Sequence, residues 1–271
     1  MSEAIISVIT ACFNHGLFID EAISSVSEYA WNVPVEHIII NDGSTDDYTI
    51  NKLEELRARG VLIIDQVNAG PANARNAGIA ASTGEYILPL DADNKLVPAV
   101  FEKALSIMEE DKGISVVYTN ARYFGVSDTE WKPGQIDPLK FLAGNYLDTC
   151  ALVRKKALTS VGGYDDQIPY HGNEDWDLWL NFIFNDYRFF YLEETGYEYR
   201  EVEASLSKRE STPNQAIIND YIVKKYAKHY AQYYRQLYSE KSKYEYLKHF
   251  LRYKKLRSIM KIILNKKLIE Y

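Results

Sequence analysis

At 271 residues, 46% of them hydrophobic and 25% charged, the chain has the makeup of a globular protein, long enough for one large domain or for a domain with an appendage. No apolar run approaches the roughly 20 residues that span a bilayer, and the first six residues lead into a strand with no basic leader segment or cleavage site. The net charge of −7 is unevenly placed: Tyr221 to Tyr271 holds 14 of the 31 Lys and Arg but 3 of the 38 Asp and Glu, so the tail is +11 and the body −18, and an acidic body argues against general nucleic-acid binding.

Over the first 120 residues, short Ile- and Val-rich runs alternate with amphipathic helical patterns, as in a parallel α/β sheet. Strands are predicted at Ile5 to Thr10, His37 to Asn41, Val61 to Asp65, Tyr86 to Leu90 and Ser115 to Tyr118. Helices are predicted at Ile19 to Tyr29, Asp47 to Arg59, Ala72 to Ala81 and Pro98 to Glu110, the last with its proline in the first turn. Beyond residue 125, Trp131-Lys132-Pro133-Gly134 reads as loop and Asp148 to Val153 as a strand. Asn173 starts a helix whose Trp176, Trp179, Leu180 and Ile183 form one apolar stripe. Arg188 to Leu192 and Gly196 to Val202 read as a closing pair of strands, and Pro213 opens a Tyr- and Lys-rich helical region.

In open sheets of this kind, ligands collect beyond the carboxyl ends of the strands. Those ends carry Thr10, Asn41-Asp42, Asp65 and Asp91-Ala92-Asp93, a concentration of like charge that calls for a cationic or hydrogen-bonding ligand. Hard carboxylate oxygens suit magnesium, manganese or calcium better than zinc. The competing reading of the Asp91-Ala92-Asp93 turn is that Asp93 or Asn94 caps the helix opening at Pro98. Asn41-Asp42-Gly43-Ser44 has the composition of a tight turn, and Arg75 is the one cation in the small-residue run from Asn68 to Gly78. Cys12 and Cys150 belong to no metal-spacing motif and read as reduced, buried thiols.

Taken in order, Ile6-Ser7-Val8-Ile9-Thr10-Ala11-Cys12-Phe13-Asn14, Asn41-Asp42-Gly43-Ser44, Ala74-Arg75-Asn76-Ala77-Gly78, Asp91-Ala92-Asp93 and Glu174-Asp175-Trp176 resemble the family 2 glycosyltransferases of the GT-A fold, over roughly residues 5 to 210. The resemblance implies a Rossmann-like, mixed but mainly parallel sheet flanked by helices. Residues 1–212 would form the transferase domain, with a nucleotide-sugar half to about 120 and an acceptor half from 121, and 213–271 a helical appendage. It implies that Thr10, Asp42 and Arg75 hold the base and ribose, with Asp65 beside them at the third strand end. Asp91 would contact ribose or metal, and Asp93 a Mn2+ or Mg2+ ion bridging the diphosphate. Asp175 would be the general base and Glu174 an acceptor contact, in an inverting single displacement.

A UDP-sugar donor, a glycan or lipid-linked acceptor, bacterial surface polysaccharide synthesis and a cytoplasmic location follow from the same resemblance. Two departures stand out. Relatives carry Tyr-Arg-x-His near the end of the core, where this chain has Tyr199-Arg200-Glu201-Val202, with His171 as a candidate replacement. The Gln-x-x-Arg-Trp motif and membrane helices of processive relatives are missing, so one sugar per encounter is expected. The basic tail suits either an anionic membrane surface at the inner face of the cell membrane or an oligomer contact. The rival readings are a GT-A-fold binding or scaffold protein and, with less support, a sugar nucleotidyltransferase. The latter typically has a Gly-rich basic loop after the first strand, where this chain has Ala11-Cys12-Phe13-Asn14-His15-Gly16.

Overall fold

A computed structural model describes residues 5–201, 213–235, 239 and 241–243. Val202 and most of the basic tail, with the membrane or oligomer contact expected of it, lie outside the described residues. The chain divides into two compact units, Met1–Ile222 and Val223–Tyr271. In the second, residues 223–225 and 227–235 are helical. Among the described residues no helix is long and apolar enough to cross a membrane.

The first unit is built on one sheet. Its parallel part is β1 (Ile6–Cys12), β2 (Val35–Asn41), β3 (Leu62–Asp65) and β4 (Tyr86–Pro89), in spatial order β3-β2-β1-β4. The connections are α1 (Ile19–Ser27), α2 (Asp47–Ala58) and α3 (Pro71–Ala81). Each helix forms for a local reason. Ile19, Ala22, Ile23 and Val26 put the apolar face of α1 into the core. Asp46 caps α2 through the Thr49 N–H, and Pro71 occupies the first turn of α3. A Cβ at Gly78 would stand 2.3 Å from Ile9 Cγ2, so α3 lies on β1 at a distance only glycine permits there.

The sheet continues through β8 (Ala151–Arg154), antiparallel to β4 and to β6 (Ile114–Gly125), and then through β9 (Arg188–Glu201) to the two-residue β5 (Lys95–Leu96). The short β7 (Glu130–Trp131) pairs with β6 alone. Outside the sheet lie α4 (Pro98–Glu110), α5 (Pro138–Ala143), α6 (Lys155–Ser160), α7 (Glu174–Phe184) and α8 (Pro213–Lys225). The main core sits between β1, β4, β6 and β8 on one side and α1 and α4 on the other, around Tyr86, Leu88, Phe101, Met108 and Leu152.

Three expectations change. The predicted closing pair of strands is one strand, β9, which runs parallel to β6 along its length. The Glu193-Glu194 stretch between the two predicted strands is a bulge: the register steps from Thr119–Leu192 to Asn120–Thr195, which leaves both glutamates out of the ladder. Trp131, read as loop, is in β7 and stacks on Tyr123 with ring centroids 6.1 Å apart. Asp148 to Cys150, read as strand, is a turn before β8 in which the Asp148 carboxylate accepts the Cys150 N–H at 2.9 Å.

Candidate active site at the carboxyl edge of the sheet

Each parallel strand ends in a polar turn at the same edge, and the structure gives their acidic groups different partners. Asp42, just past β2, is buried and accepts three hydrogen bonds, from Gln66 Nε2 (2.7 Å), the Ala69 N–H (2.9 Å) and the Gly70 N–H (2.8 Å). It thereby holds the 66–70 turn against the end of β2. Asp65, at the end of β3, is exposed, accepts from Asn41 Nδ2 at 2.9 Å and pairs with Arg57 at 2.7 Å. Thr10 lies inside the sheet layer: its fully buried hydroxyl is 2.9 Å from His37 Nε2, on the same face of β1 as Val8 and Cys12.

Arg75, from the first turns of α3, is buried and joins two acids. Its Nη2 donates to Asp91 Oδ1 at 2.8 Å and its Nη1 to Glu174 Oε1 at 2.6 Å, while its guanidinium lies 5.4 Å from the centre of the Tyr164 ring. This arginine therefore ties the turn after β4 to the N-terminus of α7, which lie 83 residues apart in sequence. Burial alone would raise the Glu174 carboxyl, but Arg75 and the Gly172 N–H bring it below the usual carboxylate range. Arg75 is likewise held more firmly protonated by Asp91 and Glu174 against the opposing effect of its burial.

Asp93 differs from its neighbours. Among the described residues no other side chain hydrogen-bonds its carboxylate, and the imidazole of His15 lies near it, with Nδ1 3.9 Å from Asp93 Oδ2. Burial and then the charge of Asp91 push its carboxyl up. Capping does not account for this turn, because α4 begins at Pro98 with Val97 as its cap residue and no side-chain cap bond. Asn94 instead accepts the Arg200 N–H at 2.9 Å, and Arg200 Nε donates to the Asp93 carbonyl at 2.9 Å with its guanidinium between the rings of Phe18 and Phe124.

Asp175, the second residue of α7, accepts from Asn145 Nδ2 at 2.9 Å through Oδ2 and from the Trp176 N–H at 2.8 Å through Oδ1. Its carboxyl is pushed well up by burial and by the charges of Glu174 and Asp148. Its place at a helix N-terminus suggests the opposite direction, but the like charges that converge here and the loss of water outweigh the macrodipole. Asp148 itself is raised to about 7, first by burial and then by Asp91. Sequence reasoning did not single out Asn145 or Tyr164, since neither falls in a motif or a periodic stretch. His171, the candidate replacement for the histidine missing at Val202, packs its ring on Gly70, where a Cβ would stand 2.3 Å from it.

Among the described residues no three His, Cys, Asp or Glu side chains come close enough to enclose a metal ion. A magnesium-like cation bound with a nucleotide commonly takes only one or two carboxylates, the rest of its shell being phosphate oxygens and water. Asp93, partly exposed and without a cationic side chain bonded to its carboxylate, fits that donor set.

A mixed sheet with an acidic turn after β4 and an acid pair opening a later helix is the layout of the GT-A fold, which the structural neighbours share. The family description "Glycosyl transferase family 2" matches residues 7–163, more than half of the chain, and "Glycosyltransferase like family 2" matches residues 135–261. The chain belongs to glycosyltransferase family 2.

Curated relatives include an uncharacterized glycosyltransferase of Haemophilus influenzae, 32% identical over 140 residues, which covers 49% of this chain and 43% of that protein. The putative glycosyltransferase EpsE of Bacillus subtilis is 27% identical over 76% of this chain and 77% of its own length. WfaP of Escherichia coli, a UDP-Glc:α-D-GlcNAc-diphosphoundecaprenol β-1,3-glucosyltransferase, is 28% identical over 66% of this chain and 70% of its own. Among solved structures, a TarS fragment from S. aureus in complex with UDP-GlcNAc superposes with a TM-score of 0.61 at 19% identity, covering 74% of this chain and 60% of that one. The Pyrobaculum calidifontis mannosyltransferase PcManGT, in complex with GDP-Man and Mn2+, gives 0.57 at 14% identity, over 78% and 61%. The chain thus spans less than half of the Haemophilus relative and three fifths of the TarS fragment.

Proposed function

We propose that this chain is an inverting, non-processive glycosyltransferase that moves a sugar from a UDP-sugar to an acceptor hydroxyl in bacterial surface polysaccharide synthesis, from the cytoplasmic side. The observation that carries the proposal is the Asp91–Arg75–Glu174 bridge, which sets Asp93 on the sheet side and Asp175 on the helix side of one acidic rim. WfaP uses UDP-Glc and a diphosphoundecaprenol-linked acceptor, which supports a UDP-sugar and a lipid-linked acceptor here.

In this reading Asp42 positions the 66–70 turn against which the nucleoside would seat, and Arg75 holds the Asp91 carboxylate at the rim. Asp93 would hold a Mn2+ or Mg2+ ion, whose charge offsets the negative charge that grows on the departing diphosphate. Asp175 takes the proton of the acceptor hydroxyl as its oxygen bonds to the anomeric carbon and the carbon–diphosphate bond breaks on the opposite face. Asn145 fixes the orientation of the Asp175 carboxylate, and the upward displacement of its pKa makes it a stronger base once ionised. One attacking oxygen and no enzyme nucleophile give inversion.

The test is thermal stabilisation by UDP-, GDP-, dTDP- and CMP-sugars, with and without manganese. A ligand at 100 times its Kd adds about 2.7 kcal/mol to the stability of the folded state. A manganese-dependent rise with UDP-sugars supports the proposal. A rise with another nucleotide alone corrects the donor, and no rise with any of them refutes a donor site in this chain.

A further inference from the structure

We propose that His15 Nδ1 is a second protein ligand, with Asp93 Oδ2, to the divalent cation, and that it favours Mn2+ over Mg2+. The inference rests on the metal-assisted reading above and assigns the site a residue outside the motifs that define the family resemblance.

Three observations carry it. The first is distance. The 3.9 Å between His15 Nδ1 and Asp93 Oδ2 is too long for a hydrogen bond, which ends near 3.2 Å for nitrogen and oxygen. Two ligands each about 2.1 Å from a shared ion stand about 3.0 Å apart at a right angle and about 4.2 Å apart when opposed, so the gap has the width of a coordinated ion.

The second is preorganisation. The loop after β1 is anchored by Asn14, whose Oδ1 accepts the Thr45 N–H at 2.8 Å and whose Nδ2 donates to Thr45 Oγ1 at 3.1 Å, and by the Gly16 N–H on Thr49 Oγ1 at 2.8 Å. The His15 carbonyl caps the start of α1 by accepting from Phe18 and Ile19, and its ring meets Phe18 edge-on. The imidazole is thus held facing Asp93 while its side chain stays 43% exposed, open to water and to phosphate oxygens.

The third is the lack of a competing role. Asp91 is committed to Arg75, whereas no other side chain is hydrogen-bonded to the Asp93 carboxylate among the described residues, Arg200 reaching only its backbone carbonyl. His171 is packed on Gly70. A neutral imidazole nitrogen is a softer donor than a carboxylate and suits first-row transition metals, which is the basis of the Mn2+ preference.

The experiment uses the full chain with Mn2+ and UDP, read by electron spin-echo modulation and by calorimetric titration of Mn2+ and Mg2+. The wild type is expected to show modulation from a directly bound nitrogen. His15→Ala should lose that modulation and about tenfold in Mn2+ affinity while its Mg2+ affinity changes by less than about threefold, a nitrogen ligand mattering less to the harder ion. Asp93→Ala should lose both metals. Because the ring of His15 is exposed and only its backbone supports the loop, the melting temperature of His15→Ala should match the wild type, which separates ligand loss from unfolding. If Asp93→Ala abolishes binding but the wild type shows no nitrogen coupling and His15→Ala binds Mn2+ normally, the His15 assignment is overturned and the Asp93 reading stands. Mn2+ binding unchanged in Asp93→Ala, or no Mn2+ binding by the wild type, overturns both.

Discussion

Replacing Arg75 with Met removes the charge from the centre of the rim and keeps most of the volume. Arg75 and Glu174 are 7% and 5% exposed, and their bond is 2.6 Å long, so the variant leaves a carboxylate in the interior with backbone N–H groups, its own and that of Gly172, but no cation to stabilise it. Removing one partner of a buried pair typically destabilises by about 3–5 kcal/mol. The sign of the pH dependence is fixed by the wild-type shift. Glu174 lies below its ordinary value, so its contribution is present above the pKa of the unfolded chain and is lost as the pH falls through the folded value. Without Arg75 the remaining main cause, burial, raises that carboxyl, and protonation at lower pH then relieves the variant. The loss should therefore be about 3–5 kcal/mol at pH 8 and shrink toward pH 5, by at most about 1.4 kcal/mol per pH unit. Urea unfolding at both pH values measures this. Arg75→Met with Glu174→Gln should recover most of the loss, because an amide accepts the Gly172 N–H without carrying charge. A loss below about 1 kcal/mol at pH 8, or one of equal size at both pH values, would refute the reasoning, since it falls short of the range for a broken buried pair.

Asp175→Asn should bind donor with unchanged affinity in a calorimetric titration yet transfer about 10²–10⁴-fold more slowly, and equal losses of binding and turnover would contradict its role as base. Because burial, Glu174 and Asp148 hold the Asp175 carboxyl well above its ordinary range, the acid limb of the kcat/KM profile should lie far above pH 4, and a limb near 4 would count against the assignment. Asp148, displaced from 3.8 to about 7, contributes stability below its unfolded pKa that is lost as the pH rises through about 7. At about 1.4 kcal/mol per pH unit this is at most about 4 kcal/mol, so Asp148→Asn should melt higher than the wild type at pH 8 and gain little below pH 4; no gain at pH 8 would exclude the effect. Asp42→Ala frees two backbone N–H groups of the 66–70 turn and should weaken nucleotide binding, with a stability loss of about 1–3 kcal/mol in denaturant titrations; nucleotide affinity equal to that of the wild type would argue against the turn as the nucleoside seat.

The acidic rim at the carboxyl edge was legible in the sequence because strand ends are marked locally. Apolar runs end in Asn41-Asp42 and Asp91-Ala92-Asp93, and topology alone brings such ends together. What was not legible depends on long-range pairing. Glu193-Glu194 has the polarity of a turn, and only the register of β9 against β6 shows it to be a bulge. Asn145 lies 30 residues before the carboxylate it orients, in a stretch without periodicity. The direction of the Asp175 shift was also hidden. The helix N-terminus is visible in the sequence, but the closeness of Asp148 and Glu174 and the loss of water are properties of the folded rim. Thr10 shows the reverse case: a strand-end threonine that looks available is closed off by His37 from the neighbouring strand.

Gly70 links the two sides of the rim mechanically. Its N–H is held by Asp42, its φ is +88°, and a methyl group added there would stand 2.3 Å from the His171 ring, one residue before the Gly172 N–H that supports Glu174. The smallest possible enlargement at position 70 would therefore push on the loop that leads into Glu174 and Asp175, and would do so from the turn that Asp42 holds. This makes the 66–70 turn a poor place for insertions and side-chain libraries, since a change made on one side of the rim would be felt on the other.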